Sequence, residues 1–329
     1  MIRVVMPKGR ASRAALVVVI VAGGFQIIPL SMDAPSFPLP ATDRLSESRR
    51  PTIAQPADLP SIGHGVSIAN VQQLHRIFTR AEYRLDHVRD AAATVPRIYL
   101  ARFPAGMAEM EPADERKALF LRVVLPLILR VNLEIEVDRI RARYLLGRLV
   151  DGEGLSRRDE RWLVALSRRY KVLGVDDDIA SLDAAARARL LRRIDGFPPS
   201  LVLAQAAVES GWGTSRFATV GNALFGQWTW DESAGIAPTE RDDGEGHAIR
   251  AFDSLLDSVR AYAHNLNTHP SYADFRAARR QTRVAQSRLN SLLLSRYLQS
   301  YSERREAYIE ELIVVIQQNQ LQDFDQARL

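Results

Sequence analysis

The sequence contains no cysteine among its 329 residues. Disulfide frameworks, thiolate zinc sites, iron–sulfur clusters and cysteine nucleophiles are therefore excluded. Lysine is also scarce, since Lys8, Lys117 and Lys171 are the only lysines among 44 basic residues. Strand-like alternation is nearly missing too: apart from residues 248–252, no stretch alternates at period two. The apolar patterning is instead helical, which predicts a mainly α protein.

An excess of basic charge is confined to the N-terminal part of the chain. The net charge is +5. Residues 1–50 hold seven bases and three acids, a net of +4, whereas residues 51–329 hold 37 bases and 36 acids. A basic groove for phosphate groups would need its charge in the folded part of the chain. Nucleic acid is therefore not an expected partner.

The N-terminal segment has the pattern of an export signal. Four basic residues precede residues 14–30, which are apolar except for Gln26. Uncleaved, this segment is at the short limit for a membrane span. Residues 1–30 are thus predicted to be a signal peptide or an N-terminal inner-membrane anchor. Residues 31–65 are a proline-rich linker, and the protein is expected in the periplasm or anchored facing it.

Residues 66–193 are predicted to be an α-helical region. Apolar residues recur every three or four positions over residues 68–88, and a longer helix is expected at 112–149 with Pro126 inside it. Ser156 and Asp159 form an N-cap pair for a helix over 157–173, and another is suggested at 181–194.

The residue pattern of the chain changes at position 197, where proline, glycine and aromatic residues become frequent. Pro198, Pro199 and Ser200 start a helix, and Gly211 ends it, so Glu209 falls in the last turn of an otherwise apolar helix. The helix dipole and the apolar neighbours both disfavour an ionised carboxylate there. A carboxyl group kept protonated near neutral pH suits a general acid. The alternative is that Glu209 caps or bridges neighbouring loops.

Several motifs follow in order: ESGWG at 209–213, SRFA at 215–218, N-x-LFG at 222–226, and FDS…LNTHP.Y at 252–272. Together they resemble the Bax-type bacterial proteins, whose glucosaminidase domain is related to that of the flagellar muramidase FlgJ and is of the family-73 glycoside hydrolase type. The resemblance covers about residues 194–320. It implies a lysozyme-like α fold with a small β-hairpin over 194–329, acting on the β-1,4 bond after N-acetylglucosamine in peptidoglycan.

By this resemblance, Glu209 is the catalytic acid. A second glutamate is expected on the hairpin before the strand at 248–252, where Glu240 is the nearest match and Glu245 the next. Without such a group, the substrate's own N-acetyl group could assist. Helices at 251–266 and 300–316 are expected to present Tyr262 and the pair Tyr301 and Tyr308. Core packing is the simplest role for Tyr308. The candidates for the sugar subsites are Trp212, Asn222, Phe225, Trp228, Tyr262 and Tyr301, with Trp212 also placed to pack beneath the acid.

No metal or other cofactor is expected, because the histidines show no ligand spacing with supporting acids. The expected partner is the peptidoglycan glycan strand, and region 66–193 could also contact an envelope or wall-synthesis protein. Two other functions remain open at this point. A lytic transglycosylase also uses one glutamate in a lysozyme-like domain, and a non-catalytic peptidoglycan-binding scaffold would keep the cleft without hydrolysis.

Overall fold

The computed structural model describes residue 65 and residues 67–229, 235–236, 248–285 and 288–329. Eleven α-helices lie in these ranges, and the prediction of a mainly α protein is confirmed. They are α1 (Val71–Arg80), α2 (Leu85–Arg89), α3 (Ala113–Val150), α4 (Arg157–Arg169), α5 (Ala184–Arg193), α6 (Pro199–Ser210), α7 (Arg216–Gly221), α8 (Leu255–Thr268), α9 (Ala273–Ala285), α10 (Ser291–Ser295) and α11 (Glu306–Gln318). The N-terminal signal or anchor and nearly all of the linker lie outside the described residues.

Helix α3 is the long helix of the fold, with 38 residues and Pro126 inside it, as the sequence predicts. Its apolar centre is buried on all sides, and it packs against α6 and α8. A helix that is apolar all round is a core helix in a globular protein. In the described part of the chain, no helix is both long enough and apolar enough to cross a bilayer.

The prediction of one continuous helix over residues 68–88 is wrong. Residues 68–88 form two helices, because α1 ends at Arg80 and α2 begins at Leu85. Glu82 adopts a left-handed conformation with φ of 50° between them. The Tyr83 amide donates to the carbonyl of Phe78 at 2.9 Å, which closes the turn and buries Tyr83. The apolar residues keep their helical spacing across this turn, so the sequence pattern did not indicate that the helix is interrupted.

Side-chain caps fix the starts of the shorter helices. The Ser156 hydroxyl accepts from the Asp159 amide at 3.2 Å, as the N-cap pair predicts. Helix α4 ends at Arg169, earlier than expected, and Lys171 follows in a left-handed conformation with φ of 54°. Helix α5 is capped by Asp183 instead of starting at residue 181.

Helix α6 begins at Pro199 and ends at Ser210, before the left-handed Gly211, as predicted. Nearly all of its residues are buried, and it packs against α3, α10, α11 and a 3-10 turn at Leu321–Gln326. Its N-terminal end is held by Asp325, whose carboxylate accepts from the Ser200 amide at 2.9 Å and hydroxyl at 2.8 Å. The helix that carries Glu209 is therefore fixed on several sides.

The expected small hairpin is part of a three-stranded antiparallel sheet, with strands β1 (Trp228–Thr229), β2 (Gly235–Ile236) and β3 (Ala248–Arg250) in the order β1-β3-β2. Trp228 pairs with Ile249, and Gly235 pairs with Arg250. Strand β3 is shorter than predicted. The amide of Phe252 already donates to the carbonyl of Gly221 at 2.8 Å, outside the sheet.

The last two predicted helices start later than the apolar pattern suggests. Helix α8 starts after Ser254, whose hydroxyl accepts from the Asp257 amide at 3.2 Å. Helix α11 starts at Glu306, so Tyr301 lies on a separate 3-10 turn, Gln299–Tyr301, and only Tyr308 lies on the helix. The two tyrosines therefore reach Glu209 from different elements.

Candidate active site

Glu209 is part-buried in the wall of a cleft of about 710 Å³. Pockets of this size are typical of small-molecule sites. Several elements of the fold contribute to the walls, which are mostly polar. Besides Glu209, the lining residues are Lys171, Phe225, Gly226, Gln227, Arg250, Ala261, His264, Asn265, Thr268, Tyr272, Tyr301, Ser302, Glu303 and Arg304.

Burial raises the pKa of Glu209 above its usual value, as the sequence argument requires. A hydrogen bond from Tyr308 and the charge of Arg304 act in the opposite direction without cancelling the effect of burial. Arg304 is bound to another acid, since its guanidinium lies 2.8 Å from the Glu311 carboxylate. Glu209 is therefore a carboxyl group whose neutral form is favoured, next to an open cleft.

A chain of hydrogen bonds leads to Glu209 through the protein interior. The Tyr262 hydroxyl donates to Gln205 Oε1 at 2.6 Å, and Gln205 Nε2 donates to the Tyr308 hydroxyl at 2.9 Å. With its oxygen already accepting from Gln205, Tyr308 donates its own proton to the Glu209 carboxyl. Gln205 is fully buried and lies one turn before Glu209 on α6. The chain fixes the orientation of the carboxyl group.

Aromatic rings stack behind the cleft. Phe225 lies over Tyr262 with ring centroids 4.1 Å apart, and Tyr301 is parallel to Tyr308 with centroids 5.7 Å apart. The Tyr301 hydroxyl donates to the carbonyl of Phe225 at 3.0 Å, which joins the two stacks. The carboxyl group is thus held by tightly packed rings. Phe225 borders the cleft but is only 2% exposed, so the expectation that its ring contacts sugar is corrected to a packing role, whereas Tyr301 is half-buried.

Gly226, the last residue of N-x-LFG, is next to the acid. Its φ of 57° is left-handed, and a Cβ built on it would lie 3.4 Å from Glu209 Oε2. Glycine adopts this conformation without strain and leaves the space beside the carboxyl group open. The motif therefore gives a reacting group access to Glu209.

The structure brings three sequence-predicted site residues to the cleft: Glu209, Phe225 and Tyr301. Tyr262 is fully buried beneath Phe225, so the expectation that it contacts sugar is corrected to a role in the hydrogen-bond chain. Tyr308, expected to be only a core residue, is buried but also donates to the acid.

Two further candidates have structural positions. Trp212 packs edge-to-face on Phe120 of α3, with ring centroids 5.5 Å apart, and is not among the described residues that line the cleft. Trp212 is therefore a packing residue against α3 in the described structure, and a sugar contact is not supported. Asn222 is buried, and its amide donates to the carbonyl of Phe252 at 2.9 Å, which ties α7 to the segment after β3.

The remaining candidates lie outside the described residues. Glu240 and Glu245 belong to the segment between β2 and β3, and of Trp228 only the backbone, in β1, is described. Across the described ranges, no three His, Asp or Glu side chains are grouped so that they could hold a metal ion.

Sequence reasoning missed most of the other cleft residues, among them Tyr272, Arg250, His264 and Lys171. Burial raises the pKa of the Tyr272 phenol to about 12, so it stays protonated as a donor. Its signal was present, because Tyr272 ends the motif LNTHP.Y. Gln205 also had a signal, as a polar residue four positions before the acid in an apolar helix. Lys171 had none, because it belongs to the helical region.

Known proteins resemble this chain over most of its length. Residues 185–321 match the glucosaminidase family described as mannosyl-glycoprotein endo-beta-N-acetylglucosaminidase. Protein Bax of Escherichia coli K12 is 32% identical over 235 residues, covering 71% of this chain and 78% of that protein. The peptidoglycan hydrolases FlgJ of Escherichia coli and of Salmonella typhimurium are each 31% identical over 99 residues, but only 31% of their length is covered.

Among solved structures, the catalytic domain of the autolysin Auto from Listeria monocytogenes is 18% identical, covering 55% of this chain and 96% of that domain. The TM-score of 0.32 is too low to establish a shared overall fold. The sequence relationship is decisive, since it covers more than two thirds of Bax at 32% identity. The chain therefore belongs to the family of Escherichia coli protein Bax, with a glucosaminidase domain at residues 185–321.

Proposed function

We propose that this protein is a peptidoglycan hydrolase, an endo-β-N-acetylglucosaminidase that cleaves the β-1,4 bond following N-acetylglucosamine. The observation that carries the proposal is Glu209, a carboxyl group with a raised pKa in the wall of a polar cleft, within the glucosaminidase domain. The relatives named peptidoglycan hydrolase support peptidoglycan as the substrate.

In this mechanism, protonated Glu209 donates its proton to the glycosidic oxygen as the bond to the anomeric carbon breaks. The leaving sugar departs as an alcohol, and positive charge develops on the remaining ring. The hydrogen bond from Tyr308 then supports the carboxylate that forms, since it favours the ionised group. Gly226 leaves room for the scissile bond beside the carboxyl group.

Hydrolysis also needs a group that activates water or stabilises the developing charge. We assign this role to Glu240, with Glu245 as the second choice, on the segment between β2 and β3. Assistance by the substrate's N-acetyl group is the alternative. Tyr301 would contact a sugar ring, while Tyr272 and Asn265 offer hydrogen-bonding groups within the same cleft. The Phe225 ring is buried and packs on Tyr262, so it would support the cleft wall.

The place of action follows from the N-terminal sequence. Export by residues 1–30, with or without cleavage, would bring the enzyme to the periplasm or leave it anchored in the inner membrane facing that space. Peptidoglycan would then be the polymer within its reach. Region 66–193 also remains a possible surface for an envelope or wall-synthesis partner.

The proposal is tested by incubating the protein and its Glu209→Gln variant with purified peptidoglycan and identifying the new chain ends by mass spectrometry. Reducing N-acetylglucosamine ends that disappear in the variant are expected. Glu240→Gln and Glu245→Gln then identify the second group. Anhydro-muramyl ends would instead indicate a lytic transglycosylase. Sedimentation with the wall material without any cleavage would indicate a binding scaffold.

A further inference from the structure

The cleft does not end at the glucosaminidase domain. A second depression of about 470 Å³ shares Arg250, Ala261 and His264 with the cleft that holds Glu209. Its other wall belongs to α3 and the end of α4. Those lining residues are Val131, Glu134, Ile135, Asp138, Arg169 and Tyr170. The two depressions therefore adjoin each other at these three residues, and together they are called the groove.

Lys171 is placed at this groove by an unusual backbone turn. It is an exposed residue with φ of 54°, a conformation that a non-glycine residue adopts at a cost in free energy. The turn is held from behind, since the Arg193 guanidinium donates to the carbonyls of Tyr170 at 2.7 Å and Lys171 at 2.6 Å. The turn is the left-handed end of α4, closed by hydrogen bonds from the Lys171 amide to the Arg168 carbonyl and from the Val172 amide to the Ser167 carbonyl, both at 2.8 Å, so the position of Lys171 is fixed.

The charges along the groove divide into paired and unpaired groups. The two acids of the second depression are bound by arginines: Glu134 contacts Arg260 at 2.7 Å, and Asp138 binds Arg169. In contrast, the cleft-lining cations Lys171 and Arg250 form no ion pair with any residue that the structure describes, and the same holds for one exposed acid of the cleft, Glu303. Both cations are exposed.

His264 lines the cleft together with these two cations. Its ring is 6.2 Å from that of Tyr170, and it lines both depressions. Burial lowers its pKa, and the charges of Lys171 and Arg169 lower it further. The cleft is therefore lined by a neutral imidazole, which can donate a hydrogen bond, and by the charged groups of Lys171 and Arg250. This combination suits an anionic oxygen ligand.

We propose that Lys171, with Arg250 and His264, forms a carboxylate-binding subsite that recognises the acidic substituent of the muramyl residue, the lactyl group or its peptide stem. This inference rests on the proposed function for the identity of the polymer. It gives the helical region a direct part in substrate recognition. Lys171 is a specificity residue, while Glu209 carries out the chemistry.

The experiment measures binding to protein carrying Glu209→Gln, which prevents cleavage during titration. Three soluble ligands of matched length are compared: glycan fragments with peptide stems, whose carboxylates lie on the stem, the same fragments after amidase treatment, which removes the stem and frees the lactyl carboxylate, and chito-oligosaccharides, which carry no carboxylate. Each ligand is titrated into the Glu209→Gln protein with and without Lys171→Ala. Arg280→Ala is the matched control, since Arg280 is an exposed cation on α9 away from the groove.

Lys171→Ala is expected to weaken binding of a carboxylate-bearing ligand about two- to fivefold at low salt, the range of an exposed ion pair. Binding of chito-oligosaccharide should not change, and salt should reduce the difference. The ligand that responds, stem-bearing or amidase-treated, identifies which carboxylate is bound. Lys171→Arg should restore most of the selectivity.

Equal weakening for all three ligands, no weakening for any, or a lack of binding by all of them would overturn the subsite. Lys171→Gly separates a structural role from recognition, because glycine relieves the backbone strain. It should lose selectivity while its Tm stays equal to or above that of the parent. Failure of the proposed function is a separate result, in which the protein with intact Glu209 does not cleave peptidoglycan even though carboxylate selectivity is present.

Discussion

The buried carboxyl group of Asp195 and the part-buried one of Glu209 lie near opposite ends of α6 and have opposite electrostatic surroundings. Asp195 precedes α6 and is enclosed by arginines, with Arg283 at 2.7 Å and Arg279 at 3.7 Å. Glu209 ends α6 and receives a hydrogen bond from a neutral phenol, Tyr308. Burial raises the pKa of both groups, but at Asp195 the arginine charges exceed it and the pKa is lowered.

The difference separates a structural carboxylate from a reactive one. Asp195 is ionised, and its cations hold the ends of α5, α8 and α9 together through Arg279, which also donates to the Asp195 carbonyl at 2.9 Å. At Glu209, the guanidinium that lowers the pKa, that of Arg304, is shared with Glu311. A carboxyl group therefore stabilises the fold near one end of α6, and a carboxyl group near the other end is suited to proton donation.

The largest expected effect is on catalysis at Glu209. Glu209→Gln keeps the shape of the side chain but removes the acid, so cleavage of peptidoglycan should fall about 10³-fold, within the range for general acid catalysis. The Tm should change little. Cleavage is measured by release of reducing ends, with Glu310→Gln, an exposed glutamate on α11, as the matched control. Retention of more than a tenth of the rate would remove Glu209 from the mechanism.

Asp195→Asn should lower the stability and leave the rate of cleavage unchanged, the reverse of the effects expected for Glu209→Gln. Loss of the carboxylate leaves buried arginine charge without compensation, which should lower the free energy of unfolding by about 3–5 kcal/mol at neutral pH. Because the folded-state pKa of Asp195 is lowered, its contribution exists above the unfolded pKa of about 3.9 and is lost as the pH falls through the folded value. The rate per folded molecule should be retained.

Denaturant unfolding at pH 7 and near pH 3 tests this, with the exposed Asp176→Asn as control. The difference between the Asp195 variant and the parent should shrink at the lower pH. A loss of activity without a loss of stability would contradict the division of roles between the two carboxyl groups.

The position of Glu209 could be predicted because local signals determine it. A proline start and a glycine end fix α6, and the motifs around the acid form adjacent turns of the chain. The roles of the aromatic residues could not be predicted in the same way. Which ring of the cluster faces the cleft depends on Phe225 covering Tyr262, and these residues are far apart in sequence. From the sequence, Tyr262 and Tyr301 are both tyrosines on predicted helices, so nothing indicates that one is buried and the other borders the cleft.

Long-range packing also explains the other misses. The break between α1 and α2 contains no glycine or proline, and the left-handed Glu82 is held by contacts that the apolar period does not encode. Lys171 reaches the cleft because α3 lies against α6 and α8, which brings the end of α4 next to His264. The motifs of the glucosaminidase domain give no information about cleft residues, such as Lys171, that lie outside the domain.

A third carboxyl group, Asp325, provides an intermediate case at the start of α6. Burial raises its pKa to about 6, and the hydrogen bonds from Ser200 only partly oppose this. The folded state therefore binds a proton more tightly than the unfolded state between about pH 4 and 6, so stability should fall as the pH rises through that window. The loss should be roughly 2 kcal/mol.

Asp325→Asn should remove this dependence while keeping an acceptor for the Ser200 amide. Unfolding free energies at pH 4.0 and pH 7.5 are compared for the variant and the parent, again with Asp176→Asn as control. If the parent and the variant respond to pH in the same way, Asp325 is ionised throughout the range and resembles Asp195 more than Glu209.

The smallest expected effect tests the hydrogen bond that distinguishes Glu209 from both other groups. Tyr308→Phe removes a donor that lowers the pKa of Glu209, so that pKa should rise and the alkaline limb of the pH–rate profile should move to higher pH. The maximum rate should fall by about tenfold at most, because one neutral hydrogen bond contributes about 0.5–1.5 kcal/mol.

Tyr301→Phe is the matched control for this change. It removes a phenol from the same stack, but that hydroxyl donates to the carbonyl of Phe225 and not to the acid. Its alkaline limb should stay in place even if the rate falls. A shift to lower pH in Tyr308→Phe, or equal shifts in both variants, would mean that the phenol does not donate to the carboxylate. The difference between the two ends of α6 would then rest on burial and the surrounding arginine charges alone.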